Sequence, residues 1–577
     1  MKNLITKEIN AQIVISLLKS HGITKVVASP GTTNVAFIAS IQNDPYFSVY
    51  SSVDERSAAY IACGLAEESG EPVVISCTGA TASRNYAPGL TEAYYRKLPV
   101  LAITSMQDNS KVGHLVAQVI DRSSLQNDIV KLSVQLPIVK DRDDIWSCEI
   151  KVNQAILELK RNGGGPVHIN LPTTYTLPFE NKPLPTYKAI DRIGLNDVLP
   201  DLKGKVAILV GSHSKWTDKE TRAIDRFCAS RDAVVFCDHS SSYKGKYRVQ
   251  FSLVAAQELM DHSPYIPDVL IHIGEVTGDY ASLKLAGKQV WRVNCDGEIR
   301  DTFRKLRYVF EMEEEEFFDA YTIDVKGKNM YFDECNSILE RVRNKIPELP
   351  FSNLWVASQL ASKIPNKSML HLGILNSLRS WNYFDVDKSI DTVSNVGGFG
   401  IDGALSSLIG ASLFNSDRIY FAVLGDLAFF YDMNSLGNRH VGNNIRILLI
   451  NNGKGTEFRQ YNHHAAYFLE QADDFIAAAE HYGNKSPTLV KNYVQSLGFE
   501  YFSAKNKKEF GELSERFLNT EEKGRSMVFE IFTNSDEESE ALRKINTIEK
   551  GNKESFMKNA RGIRNSGIKI FNKLLGK

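Results

Sequence analysis

The chain has 577 residues, of which 43% are hydrophobic, 24% charged and 10% aromatic. That composition excludes a mainly disordered chain, a fibre and a short disulfide-stapled scaffold, and the length suits about three or four domains. The 68 basic residues nearly match the 69 acidic ones, and a net charge of −1 gives no global attraction for nucleic acid.

In chain order, Ile9, Ile13, Leu17 and Leu18 recur at helical spacing, while Lys7 and Glu8 break any leader-like apolar run. An amphipathic first helix of a soluble domain is therefore expected. A short apolar strand at 25–28 ends at Ser29-Pro30-Gly31. A helix is expected over 55–66, then strands at 72–77, 99–104 and, after the glycine turn 163–165, at 167–171. Strands alternating with helices indicate a parallel sheet. The Pro-rich, polar stretch 181–203 reads as a linker. A second α/β unit spans 204–345, with strands at 205–211, 233–238, 268–274 and 289–294. Its acidic run 313–316 reads as a solvated helix face. A third unit spans 350–537, with strands at 367–373, 391–396, 419–425, 445–451 and 526–532. The last stretch, 541–577, holds ten Lys/Arg against two Glu, a net +8 in a chain whose total is −1. It reads as a solvated helix docked by Ile568, Phe571, Leu574 and Leu575, or as a tail for an anionic surface.

No run approaches the length of a membrane span. The seven cysteines form no C-x-x-C and mostly sit in apolar contexts. Buried reduced thiols and a cytoplasmic location are the expectation. No Cys or His spacing points to zinc. The first strand of the second unit runs into Gly211-Ser212-His213-Ser214 rather than G-x-G-x-x-G, so flavin or nucleotide binding there has no support.

Two turns in the third unit carry the sharpest chemistry. The strand ending at Leu424 runs into Gly425-Asp426-Leu427, and the strand ending at Ile450 runs into Asn451-Asn452-Gly453-Lys454-Gly455. Both fall at the carboxyl edge of one sheet, where open α/β sheets bind ligands. Asp426 and Asn452 offer hard oxygens, and glycines let backbone approach a diphosphate, a combination that suits Mg²⁺. A plain Gly-Asp corner plus a plain Asn-Gly turn would look the same. In the first unit Glu55 opens a helix, where an acidic residue also favours the helix dipole.

Taken together, these residues resemble the thiamine-diphosphate (ThDP) dependent decarboxylase and carboligase superfamily. Gly425-Asp426, followed about two dozen residues later by Asn451-Asn452, looks like its metal–diphosphate motif, and Glu55 looks like its cofactor-activating glutamate. The likeness runs from residue 1 to about 535. It implies an α/β fold of three doubly wound parallel-sheet domains: pyrimidine-binding (1–180), central (204–345) and diphosphate-binding (350–537), followed by the basic tail. The nearest subfamily is that of the menaquinone-pathway SEPHCHC synthases, carboligases that decarboxylate 2-oxoglutarate and add the fragment to isochorismate. Ser29-Pro30-Gly31, Asp54-Glu55-Arg56, Cys77-Thr78-Gly79 running on to Asn85, Ser394-Asn395 leading to Gly400-Ile401-Asp402-Gly403, Gly-Asp-Leu at 425–427, and Gln118 before Ile120-Asp121 carry that likeness.

The resemblance implies roles. Glu55, Gln118 and Ile401 would be catalytic: Glu55 at the aminopyrimidine, Gln118 on the reacting substrate, and Ile401 under the bent cofactor, unless it is simple core packing. Pro30, Gly31, Thr78, Asn85, Ser377, Gly400, Gly425, Leu427 and Gly455 would join them around ThDP. Asp426, Asn452 and the Lys454 carbonyl would hold Mg²⁺. Thr33, Arg84, Lys284, Arg379, His463 and His464 are substrate-pocket candidates, each of which is equally read as a surface or structural residue. The family's arginines are missing at Thr33 and Val396, and its Asp-Arg-Pro is Ser105-Met106-Gln107 here. An arginine fork on a carboxylate has no equivalent in Thr or Val, which argues against isochorismate as acceptor. The expected activity is a ThDP- and Mg²⁺-dependent carboligase acting on a 2-oxo acid donor and an unknown acceptor, as a homodimer or homotetramer with no membrane span and no nucleic acid. A simple 2-oxo acid decarboxylase, an acetolactate-synthase-like enzyme acting on a keto-sugar, and a non-enzymatic scaffold are the alternatives.

Overall fold

A computed structural model describes residues 4–174, 179–324, 328–480, 486–520 and 524–549. The chain divides into two compact units. One comprises residues 1–197 with 297–311, and the other 198–296 with 312–577.

The first unit is built on a six-stranded parallel sheet of β1 (Lys25–Ala28), β2 (Ser48–Ser51), β3 (Val73–Cys77), β4 (Val100–Met106), β5 (Leu132–Gln135) and β6 (Val167–Pro172). They lie in the order β2-β1-β3-β4-β6-β5. Successive side chains of a strand point to opposite faces, and both faces here are covered. Val26, Val74, Leu101 and Ile103 join the core on one side, with Phe37, Val152 and the N-terminal helix. Val27, Val73, Ile75, Val100 and Ala102 join the other, with Ala59, Ala62 and Leu90. That N-terminal helix, Ile9–Ser20, is buried from Asn10 to Leu18 on every side rather than amphipathic. Its polar positions are satisfied internally: Asn10 Nδ2 donates to the Pro172 carbonyl at 2.7 Å and Gln12 Nε2 to the Thr6 carbonyl at 2.6 Å.

The stretch 181–203, expected as a linker, contains a strand. β7 (Asp191–Gly194) pairs in parallel with β13 (Leu306–Glu311), a strand more than a hundred residues away. Arg307 fixes the junction with an ion pair to Asp191 at 2.7 Å.

In the second unit β8 (Val206–Val210), β9 (Val234–Cys237), β10 (Arg248–Val249), β11 (Val269–Ile273) and β12 (Gln289–Val293) run in parallel in the order β10-β9-β8-β11-β12. The acidic run opens the helix Glu314–Tyr321, and Glu313 and Glu316 form its capping box. The third sheet holds β14 (Met369–Leu372), β15 (Asp391–Val393), β16 (Tyr420–Gly425), β17 (Ile445–Asn451), β18 (Glu500–Ala504) and β19 (Met527–Phe532), ordered β15-β14-β16-β17-β19-β18. The fold is thus α/β with three parallel sheets.

Residues 541–546 complete the helix Ser535–Asn546 rather than starting a separate tail. Ile568, Phe571, Leu574 and Leu575 lie outside the described residues. Of the seven cysteines, six are buried and Cys295 is exposed, all as free thiols. Among the described residues no helix is long and apolar enough to cross a membrane.

Candidate functional site

Strands β16 and β17 pair in parallel with Gly425 opposite Ile450, so the Gly-Asp and Asn-Gly turns leave the sheet side by side at its carboxyl edge. Asp426 begins the short helix Asp426–Asp432 and is 3% exposed. Its Oδ1 accepts the Leu427 N–H at 2.8 Å and its Oδ2 the Gly453 N–H at 2.5 Å. Burial pushes its carboxyl up to about 7, against the pull of backbone N–H groups. Beside it, the buried Asn452 Oδ1 has no hydrogen-bond partner among the described residues. Asn451 serves a different purpose, with Nδ2 donating to Glu530 on β19 at 2.7 Å.

The turn needs its glycines. Gly453 has φ +77°, a conformation that carries no Cβ penalty only for glycine. A Cβ at Gly455 would meet the Phe458 ring at 3.1 Å. Lys454 pairs its ammonium with Asp473 at 2.7 Å, and its carbonyl accepts the Thr456 N–H at 2.9 Å.

The two oxygens have the chemistry of cation ligands. A buried carboxylate without a cationic partner and an orphaned amide oxygen are costly unless something positive joins them. Among the described residues no three His, Cys, Asp or Glu cluster to hold an ion on protein alone. An ion here would draw its remaining ligands from phosphate and water, which is how Mg²⁺ is usually held. The donor set therefore fits Mg²⁺ with a diphosphate.

Around this edge, Ser377 is buried in the helix Asn376–Trp381 that follows β14. Ile401 is half-buried and packs against the core cluster that holds Leu405, Leu424 and Leu449. Its apolar bulk is thus partly core and partly open. Gly400 and Leu427 lie in the two loops concerned, Gly400 exposed and Leu427 half-buried. Arg379 is committed to an ion pair with Glu457 and lies over the Tyr280 ring at 5.2 Å. Lys284 is exposed on the short helix Ser282–Leu285. His463 caps the next segment, Nδ1 accepting the Ala465 N–H at 3.1 Å, and His464 is exposed. Val396 is 2% exposed, within reach of the place a Gly278 side chain would occupy.

In the first unit, Glu55 is the first residue of the helix Glu55–Ser69, capped by Asp54, whose carboxylate accepts the Arg56 N–H. Glu55 is half-buried, has no hydrogen bond or ion pair among the described residues, and acts electrostatically on Cys77 and Tyr86. Next to Cys77, Thr78 packs so closely on Gly31 that a Cβ there would lie 2.4 Å from the Thr78 Cβ. Thr33 hydrogen-bonds Thr78 through the two hydroxyls and donates to the Ser105 carbonyl at 2.8 Å. The loops after β1 and β3 are so tied to the carboxyl end of β4, with Pro30 exposed beside them. Gln118 is exposed in a turn with φ +65°. Arg84 and Asn85 are exposed at the end of the helix Thr81–Asn85, and Arg84 donates to the Asp121 carbonyl at 3.1 Å.

One residue with a site-like environment escaped the sequence reading. Arg122 is 3% exposed, yet it sits in a polar Asp-Arg-Ser-Ser stretch that reads as an ordinary loop.

The family model for the thiamine pyrophosphate enzyme N-terminal TPP binding domain matches residues 10–129. Over 560 residues, 92% of this chain and 97% of the relative, the sequence is 30% identical to the 2-succinyl-5-enolpyruvyl-6-hydroxy-3-cyclohexene-1-carboxylate synthase of Bacteroides fragilis. The chain belongs to the thiamine-diphosphate-dependent enzymes. The synthase of the same name from Bacteroides thetaiotaomicron is also 30% identical, over 559 residues, and that from Flavobacterium psychrophilum 26%, over 559 residues covering 91% of this chain and 96% of the relative. This thiamine-diphosphate enzyme is therefore similar over most of its length to SEPHCHC synthases, and its cofactor is thiamine diphosphate.

Proposed function

We propose that this enzyme is a Mg²⁺-dependent carboligase that decarboxylates a 2-oxo acid and passes the resulting acyl-anion equivalent to an acceptor other than isochorismate. The observation that carries the metal is the pair of Asp426, buried with no ion pair among the described residues, and Asn452 Oδ1, buried with no hydrogen-bond partner among them. Asp426, Asn452 and the Lys454 carbonyl would hold the ion, with Gly425, Leu427 and Gly455 giving the diphosphate close backbone access. When bound, ThDP supplies the electron sink that decarboxylation of a 2-oxo acid requires.

The chain's own residues do the rest. Glu55 would hold a proton at the aminopyrimidine nitrogen, general acid–base work worth about 10²–10⁴-fold. Pro30, Gly31, Thr78, Asn85, Ser377 and Gly400 would line the cofactor, Ile401 would press on it with its open apolar face, and Gln118 would orient the substrate. Lys284, His463, His464 and Arg84 remain candidates for a donor carboxylate. Arg379 is a weaker one, since its charge is already matched by Glu457.

The acceptor follows from what is missing. Thr33 is buried and bonded to its neighbours, and Val396 is packed in the core, so neither position offers a guanidinium fork. The resemblance also supports a two-fold dimer that shares its sites.

The test incubates protein with ThDP and Mg²⁺ and a panel of 2-oxo acids, following CO₂ with and without candidate acceptors. Calorimetry should show ThDP binding that EDTA abolishes and Asp426→Ala weakens strongly. Equal ThDP binding with and without a divalent ion would refute the metal assignment. CO₂ release matched by free aldehyde with every acceptor would make the enzyme a simple decarboxylase.

A further inference from the structure

We propose that the first unit contains a binding pocket for a small organic carboxylate, with the anion held by Arg122 and the apolar body among Leu90, Leu125 and Ile129. The cavity has a volume of about 460 Å³, within the range of ordinary small-molecule sites.

Its charge is one-sided. Arg122 lines it and is 3% exposed. Among the described residues the guanidinium has one acceptor, Asn170 Oδ1, at 2.5 Å from Nη2. Its Nε and Nη1 groups find no acceptor among the described residues. No carboxylate forms an ion pair with it there, and burial lowers its pKa to about 10, with Arg84 pushing the same way. Arg84 is the other charged residue of the lining, so the wall carries two cations and no acid.

Outside the lining, Asp121 attracts Arg84 and Glu55 acts on Tyr86, but neither acts on Arg122, and burial keeps the Tyr86 phenol of the lining uncharged. His168 lines the cavity with its ring nitrogens at 2.6 Å from Thr104 Oγ1 and 2.8 Å from Ser133 Oγ; burial pushes it down to about 3, so it is neutral at pH 7. The nearby Cys77 thiol is pushed up to about 12 and carries no charge either. A buried guanidinium lacking both a counter-ion and acceptors for its N–H groups opposes folding. Arg122 forms part of the cavity wall while its Nε and Nη1 atoms are themselves buried, so a ligand in the cavity meets them by a turn of the guanidinium toward it. A planar fork matches a carboxylate bidentately. The apolar wall formed by Leu90, Leu125 and Ile129 then favours a carboxylate with a hydrocarbon body over a bare inorganic anion.

This pocket does not rest on the cofactor assignments, and its test needs neither ThDP nor turnover. Calorimetry on the full-length protein would compare benzoate, benzamide and inorganic phosphate. Benzoate should bind, with benzamide and phosphate weaker by about tenfold or more. Arg122→Met should lose that preference, and Arg122→Lys should retain part of it. Without ligand, Arg122→Met should melt no lower than the wild type, since it removes a desolvated charge. Leu125→Trp should fill the apolar end and block benzoate. If Arg122→Met does not fold, the wild-type comparison and Leu125→Trp decide the matter. Benzamide binding as tightly as benzoate, benzoate binding unchanged in Arg122→Met or Leu125→Trp, or no binding of benzoate to the wild type would each overturn the proposal.

Discussion

Glu538 offers a quantitative check on how the second unit is held together. It lies in the first turn of the helix Ser535–Asn546 and is 5% exposed. Its carboxylate accepts the Asn353 N–H at 2.9 and 3.1 Å, at the start of the helix Asn353–Leu360, and the Thr533 hydroxyl at 2.8 Å. Burial outweighs these bonds and pushes the carboxyl from its ordinary 4.5 up to about 7. Below pH 4.5 both the folded and the unfolded chain hold the proton, so the acid costs nothing. Between pH 4.5 and 7 the unfolded chain releases it and the folded chain does not, so stability falls as pH rises, by about 1.4 kcal/mol per unit. Above pH 7 the full penalty, about 3 kcal/mol, is in place. Glu538→Gln keeps an acceptor for Asn353 and Thr533, cannot ionise, and gives up one acceptor atom, at about 1 kcal/mol. Its stability relative to the wild type should therefore improve by about 2 kcal/mol between pH 5.5 and pH 8. Urea denaturation of both proteins at the two pH values measures this, read on the transition of the second unit. A difference that does not change with pH, or a carbon-13 titration placing Glu538 near 4.5, would refute the reasoning.

Glu55→Gln should leave fold and ThDP affinity largely intact while slowing exchange of the C2 hydrogen of bound ThDP by about 10²–10⁴-fold, followed by proton NMR after an acid quench; unchanged exchange removes Glu55 from proton transfer. If two subunits share each site, mixing inactive Glu55→Gln with inactive Asp426→Ala should restore part of the activity, because a hybrid dimer has one site free of both lesions. A fully exchanged mixture that stays inactive, or an active species that sediments as a monomer, contradicts sharing. Isochorismate should be a poor acceptor with 2-oxoglutarate as donor, as the buried Thr33 and Val396 imply; efficient coupled turnover would show that other residues carry its carboxylates.

Local pattern alone determined much of this protein. Apolar strands ending in Gly-Asp and Asn-Asn-Gly placed Asp426 and Asn452 at one sheet edge, because parallel strands point their carboxyl ends the same way and turn chemistry depends only on neighbouring residues. The alternation of strands and helices gave three parallel sheets for the same reason. Where partners are distant in sequence, the pattern said little. Asp191–Gly194 looked like linker because its pairing partner, Leu306–Glu311, lies more than a hundred residues on, and a four-residue strand has no periodicity of its own. The N-terminal helix looked half-exposed because Asn10, Gln12 and Ser16 are polar, and only the packed structure supplies the carbonyls that let Asn10 and Gln12 be buried. Arg379 looked like a free cation until the fold brought Glu457 to it. Arg122 is the strongest such case: whether an arginine in a polar loop reaches solvent or a cavity depends on the path of the loop and on which walls enclose it. Burial and counter-ion supply are properties of the packed chain, and tertiary structure alone decided them.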